Sequence, residues 1–145
     1  MKTTLHINGI ELELNKTDFS AKIIQSENIS EIHIIPRSIK YQTESYIIIS
    51  IAENAFKNNE NIKIISFSDD SIIRTISDYS FFTSSLEMIT IPDSVTEIGS
   101  FSFAWCNSLR SVALSNRSKL RKIVNQAFFL SNSKRLKKDG AMDFL

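Results

Sequence analysis

The chain copies itself, and that constrains its fold more than any other feature of its 145 residues. Four segments align, starting at Ile29, Ile62, Leu86 and Leu109, so the starts are 33, 24 and 23 residues apart. The same apolar columns recur: Ile29/Ile62/Leu86/Leu109, Ile32/Ile65/Ile89/Val112, Ile34/Phe67/Ile91/Leu114, Ile51/Ile76/Ile98/Ile123 and Phe56/Phe81/Phe103/Phe128. A unit of about 23 residues cannot bury its apolar set alone; neighbouring copies must supply the missing walls. The first copy is longer because about ten residues around Lys40 to Tyr46 are inserted between Pro36 and Ile51. An insertion that leaves the columns intact reads as a surface loop.

Each copy opens with an LxxLxL pattern, whose closing alternation reads as a short strand. Stacked copies then form a parallel sheet with strands about 4.8 Å apart. The expected class is α/β: a solenoid with a parallel sheet on its concave face and short helical turns or strands on its convex face. The stretch from Ser100 to Trp105 in "PDSVTEIGSFSFAWC" is long enough for one helical turn. Three residues after each column Phe sits Asn59, Ser84, Cys106 or Ser131, a small polar column suited to bonding turn backbone inside the stack.

The ends differ from the middle. "TLHINGIELEL" alternates around Asn8-Gly9, a strong hairpin signal, and with Phe19 to Ile24 it reads as a cap on the first copy. This divides the chain into a hairpin cap (1–28), the repeats (29–131) and a basic tail (132–145). In the tail, "KRLKKDGAMDFL" breaks the columns. Either Leu136, Met142, Phe144 and Leu145 fold over the last copy, or the array has an open edge that invites self-association.

Strand alternation also fixes which side chains face outward: Ser30/Lys63/Glu87/Arg110, Glu31/Ile64/Met88/Ser111 and His33/Ser66/Thr90/Ala113. Ile64 and Met88 would be apolar neighbours on the exposed pleat, rimmed by Lys63, Glu87 and Arg110. The candidate partner-binding set is Lys63, Ile64, Glu87, Met88, Thr90, Arg110 and Ser111.

Chemistry has little to work with. The lone cysteine, Cys106, permits no internal disulfide, and the two histidines, His6 and His33, lie far apart, so neither a metal site nor a cofactor is expected. Cys106 reads as a buried small residue, and each histidine as a strand residue without a carboxylate to tune it. With three Gly in the chain, no phosphate-cradling loop exists. No apolar run reaches the length of a membrane span, and no secretory leader is visible. That gives a cytoplasmic default, and the sequons at Asn15, Asn28 and Asn116 then carry no meaning.

The formal charge of +1 conceals a gradient, since residues 1–97 hold 8 basic and 14 acidic side chains and residues 98–145 hold 9 and 2. Such a dipole favours head-to-tail association or electrostatic docking of the basic end on nucleic acid or an anionic membrane. The nucleic-acid reading is the minor one, because Phe128 and Phe129 are committed to the core.

The copy from Leu86 to Leu109, with "IPDSVTEIG" leading into "SFAWCNSL", resembles the BspA-type leucine-rich repeat of bacterial and parasitic-protist surface antigens. The resemblance covers residues 29–131; only the third copy has the Pro-Asp-Ser-Val and Ile-Gly steps complete. It implies a right-handed leucine-rich-repeat solenoid without enzymatic activity, binding another protein, often in adhesion at the cell surface.

Overall fold

The computed structural model describes residues 2–132 and the backbone of two strands beyond them. Its strands, in chain order, are β1 (Thr3–Ile7), β2 (Ile10–Asn15), β3 (Ser20–Ser26), β4 (Ile32–Ile35), β5 (Ser38–Tyr41), β6 (Glu44–Ile51) and β7 (Ile64–Phe67). They continue with β8 (Thr75–Ile76), β9 (Met88–Ile91), β10 (Glu97–Ile98), β11 (Ser111–Leu114), β12 (Lys122–Ile123), β13 (Leu136–Lys138) and β14 (Met142–Asp143). Each copy contributes one strand to each of two sheets. The six-stranded sheet runs β14-β13-β11-β9-β7-β4; the eight-stranded sheet runs β1-β2-β3-β6-β8-β10-β12, with β5 attached to β6. Strands of successive copies pair in parallel, which gives a solenoid of about four turns.

The stacked columns form the interior. Phe56, Phe81, Phe103 and Phe128 lie ring on ring, with centroids 4.8, 5.1 and 5.1 Å apart and planes within 5° of parallel. The first three are wholly buried. Ile51, Ile76, Ile98 and Ile123 meet in register across the eight-stranded sheet. Burial of each such side chain contributes about 1.5–3 kcal/mol before chain entropy is subtracted.

Of the helical turns or strands expected to follow the opening strand of each copy, the described residues show strands and no helix; Ser100 to Trp105 form turns, and the α/β class is corrected to an all-strand solenoid. The reason lies in where alternate amides point. In the second copy, the amides of Ser80, Phe82 and Ser84 bond back three residues, to Ser77, Tyr79 and Phe81. The amides between them, of Tyr79, Phe81 and Thr83, instead reach the carbonyls of Ser100, Ser102 and Ala104 on the next turn, at 2.9, 2.7 and 3.0 Å. Asn54, Phe56 and Asn58 do the same toward Asp78, Ser80 and Phe82. A helix needs consecutive i to i−4 bonds, and this third ladder consumes every other donor. Two left-handed residues per turn make the alternation possible: Asn54/Tyr79/Phe101/Gln126 and Asn58/Thr83/Trp105/Leu130 all have φ between 51° and 66°.

The inserted segment is not the loop expected. Residues of β5 and β6 form an antiparallel hairpin in which Ile39 opposes Tyr46, and both are buried. Their alternating side chains had core to occupy, and Tyr46 packs on Phe19 with centroids 5.8 Å apart.

Asn8 and Gly9, at φ 51° and 82°, form the two-residue turn between β1 and β2. A side chain at Gly9 would come within 2.7 Å of the Ile29 Cα, so glycine also permits the close approach to the chain leading into β4. β2 turns Ile10, Leu12 and Leu14 into the core, and β3 joins β2 antiparallel and β6 in parallel. At the other end, the basic run supplies β13, parallel to β11. The alternatives for the side chains of Leu136, Met142, Phe144 and Leu145 lie outside the described residues.

Candidate interaction face

The outer face of the six-stranded sheet carries the sequence-derived candidates, and its register corrects the first copy. Ile32, His33, Ile34 and Ile35 pair with Ile64, Ile65, Ser66 and Phe67. His33 and Ile35 therefore face the core, at 8% and 0% exposure, while Ile32 and Ile34, expected inside, stand 63% and 65% exposed. His33, expected outside, is a core residue. A one-residue slip exchanges the faces of a strand, and the slip arises because the first copy holds one extra residue between Ile29 and its strand. Burial holds the His33 imidazole below its ordinary range.

With the register set, the outward rows read Glu31/Lys63/Glu87/Arg110, Ile32/Ile64/Met88/Ser111 and Ile34/Ser66/Thr90/Ala113. The first row alternates in sign along its whole length: Lys63 Nζ lies 3.2 Å from Glu31 and Arg110 Nη2 3.4 Å from Glu87. These pairs are solvated, so each contributes only about 0–1 kcal/mol. The middle row is apolar over three adjacent strands, with Met88 39% exposed and Ile64 half-buried. Thr90 is exposed in the third row, and Ser111 continues the second. All seven candidates thus lie on one face, joined by Ile32 and Ile34, which the sequence register had placed inside.

The charge gradient is partly spent between turns. Of the basic side chains in residues 98–132, Arg110, Arg117 and Lys122 pair with Glu87, Asp93 and Glu97 of the preceding turn. Three of these five cations are thus paired within the stack, and among the described residues the electrostatic-docking reading gains no support.

The small polar column lies inside. Asn59 accepts the amides of Asn61 and Ile62, both at 3.0 Å, and donates to Ser26 Oγ at 2.8 Å. Cys106 is fully buried, its thiol donating to the Phe81 carbonyl at 2.9 Å, and burial raises its pKa. That is the reverse of what a nucleophilic thiolate needs. Among the described residues no three His, Cys, Asp or Glu side chains converge as metal ligands. No helix among them is long and apolar enough to cross a membrane.

Parallel strands stacked one per copy, with an outward row repeated strand after strand, define a leucine-rich-repeat solenoid. Residues 38–141 match the BspA type leucine rich repeat region in six copies, and the chain belongs to that family. A search of curated protein sequences finds no match. Among solved structures, the pneumococcal vaccine antigen PcpA superposes with a TM-score of 0.58 at 16% identity, covering 95% of this chain and 50% of that one. A leucine-rich repeat protein from Bacteroides capillosus gives 0.55 at 21% identity, covering 94% and 99%. The leucine rich repeat protein of T. pallidum gives 0.53 at 19%, covering 88% and 67%. The chain thus spans half of the pneumococcal antigen and nearly all of the Bacteroides protein. At these identities the likeness is one of fold.

Proposed function

We propose that the chain is a non-enzymatic protein-binding module whose outer six-stranded face contacts a protein partner. Membership of the leucine-rich repeat family supports an interaction role. One observation carries the location: Ile32, Ile64 and Met88 form an apolar row across three strands, bordered by a charge row whose members neutralise one another. Contiguous apolar surface with a polar rim marks contact sites. Lys63, Ile64, Glu87, Met88, Thr90, Arg110 and Ser111 would make the contact, with residues 1–28 closing one end of the array. An adhesive role at a cell surface is the finer reading that the resemblance to the BspA-type repeat family implies.

The test is direct binding to immobilised host and matrix proteins at low and high salt. Binding through this face should survive salt and fall at least about tenfold in Met88→Glu and Ile64→Glu, about 1.4 kcal/mol. Binding that is unchanged in both variants, or that disappears with salt, would remove this face from consideration.

A further inference from the structure

β4 is the outermost described strand at one side of the six-stranded sheet, with β7 as its only neighbour there. Alternate residues of a parallel strand address the neighbouring strand. The Glu31 carbonyl accepts the amides of Lys63 and Ile64 at 2.8 and 2.9 Å, and the Ile35 carbonyl accepts that of Ser68 at 3.0 Å. Glu31, His33 and Ile35 therefore address β7, and Ile32 and Ile34 turn their backbone groups to the open side. The Ile32 carbonyl takes the Ser30 hydroxyl at 2.7 Å and keeps a second lone pair. The same two residues carry the most exposed apolar side chains among those described, at 63% and 65%.

We propose that this edge docks a second copy of the chain, the two β4 strands running antiparallel about a two-fold axis at His33. In that register Ile32 of each copy faces Ile34 of the other, and each such pair exchanges two hydrogen bonds. Open backbone groups two residues apart are self-complementary in this arrangement. Their side chains meet on one face, at Cα separations of about 5.5 Å, and extend the apolar row of Ile64 and Met88 across the junction.

Charge is compatible with the antiparallel sense: the axis at His33 sets Glu31, paired with Lys63, across from Ile35 of the other copy, and the other copy's Arg37, whose guanidinium bonds the Asp70 carbonyl at 2.7 Å, lies two residues further along. Parallel docking would set like against like. Pro36, which has no N–H, ends the usable edge and disfavours slipped registers. β4 carries neither an outward charge nor a bulge, the devices that usually blunt an exposed edge. A two-fold contact also closes on itself, giving a dimer rather than a growing chain.

The experiment is sedimentation equilibrium of the full chain over a concentration series at low and high salt. The expected mass at high concentration is twice 16.5 kDa, with salt changing the dissociation constant little. Ile34→Pro deletes an outward amide while leaving the bonds to β7 in place, and should give monomer. The double variant Ile32→Lys with Ile34→Lys alters only exposed side chains; it should also give monomer and carries the test if the proline variant does not fold. Arg121→Ala, an exposed side chain of the last copy away from this sheet face, should remain dimeric. A wild-type chain that stays monomeric, a dimer that survives in both edge variants, or assemblies that grow and dissolve with salt would overturn the proposal. The proposal stands apart from the partner-binding reading, since the mass of the chain alone decides it.

Discussion

Phe81 and Phe103, 22 residues apart in the chain, stack with ring centroids 5.1 Å apart and planes 4° from parallel. Phe103 meets a second ring, Phe128, at the same separation. Phe103→Ala should cost about 3–5 kcal/mol in a urea titration. Phe128, only partly buried, should cost clearly less on truncation. Equal losses would show that the rings do not act as a graded stack.

Ser80 and Ser102 are fully buried at equivalent positions, and neither hydroxyl has a hydrogen-bond partner in the structure. The first and fourth copies hold Ala55 and Ala127 there. Ser102→Ala should therefore be neutral or stabilising by about 1 kcal/mol, since an unsatisfied buried hydroxyl is removed. A clear loss of stability by chemical denaturation would show that this hydroxyl is satisfied after all.

Thr83 holds φ at 55°, a conformation that crowds a β-branched side chain, while its counterpart Asn58 occupies the same region at 58°. Relief of this strain outweighs loss of the exposed contact between Thr83 Oγ1 and Asn58 Oδ1, so Thr83→Asn should raise stability by up to about 1 kcal/mol. A lower melting temperature in the variant would contradict the strain.

Burial lowers the His33 pKa from 6.5 in the folded chain. The unfolded chain then takes up its proton first as the pH falls. Stability is fully present above about pH 6.5 and declines below it until the folded pKa is passed. His33→Val, matching Val112 in the same column, should flatten melting temperature between about pH 7 and 5 relative to wild type. An unchanged pH profile in that variant would exclude His33 as the cause.

The stack was legible because its evidence is redundant: four phenylalanines and four isoleucines at matching places point to one spine. The first strand was not, because "IHIIP" offers isoleucine to both faces and hydropathy alone favours burying Ile34 over His33. The alternation of Glu31, Lys63, Glu87 and Arg110 along one row was the signal that fixes the register. The inserted hairpin is hidden in the sequence because it has no counterpart in the other copies, and only the alternation around Ile39 and Tyr46 marks it as strand. Helical turns and strands are not distinguishable there from sequence, because no motif marks the left-handed positions, which hold Tyr79, Phe101 and Trp105 as readily as Asn54 and Asn58.

The ladder of turn amides makes the two sides of a middle copy complementary: each turn accepts bonds from the copy before it and donates them to the copy after it. Tandem duplication of one such unit inside the gene would recreate both junctions from parts already present. The protein could lengthen by whole rungs, gaining outward surface with each one, without inventing any new internal contact.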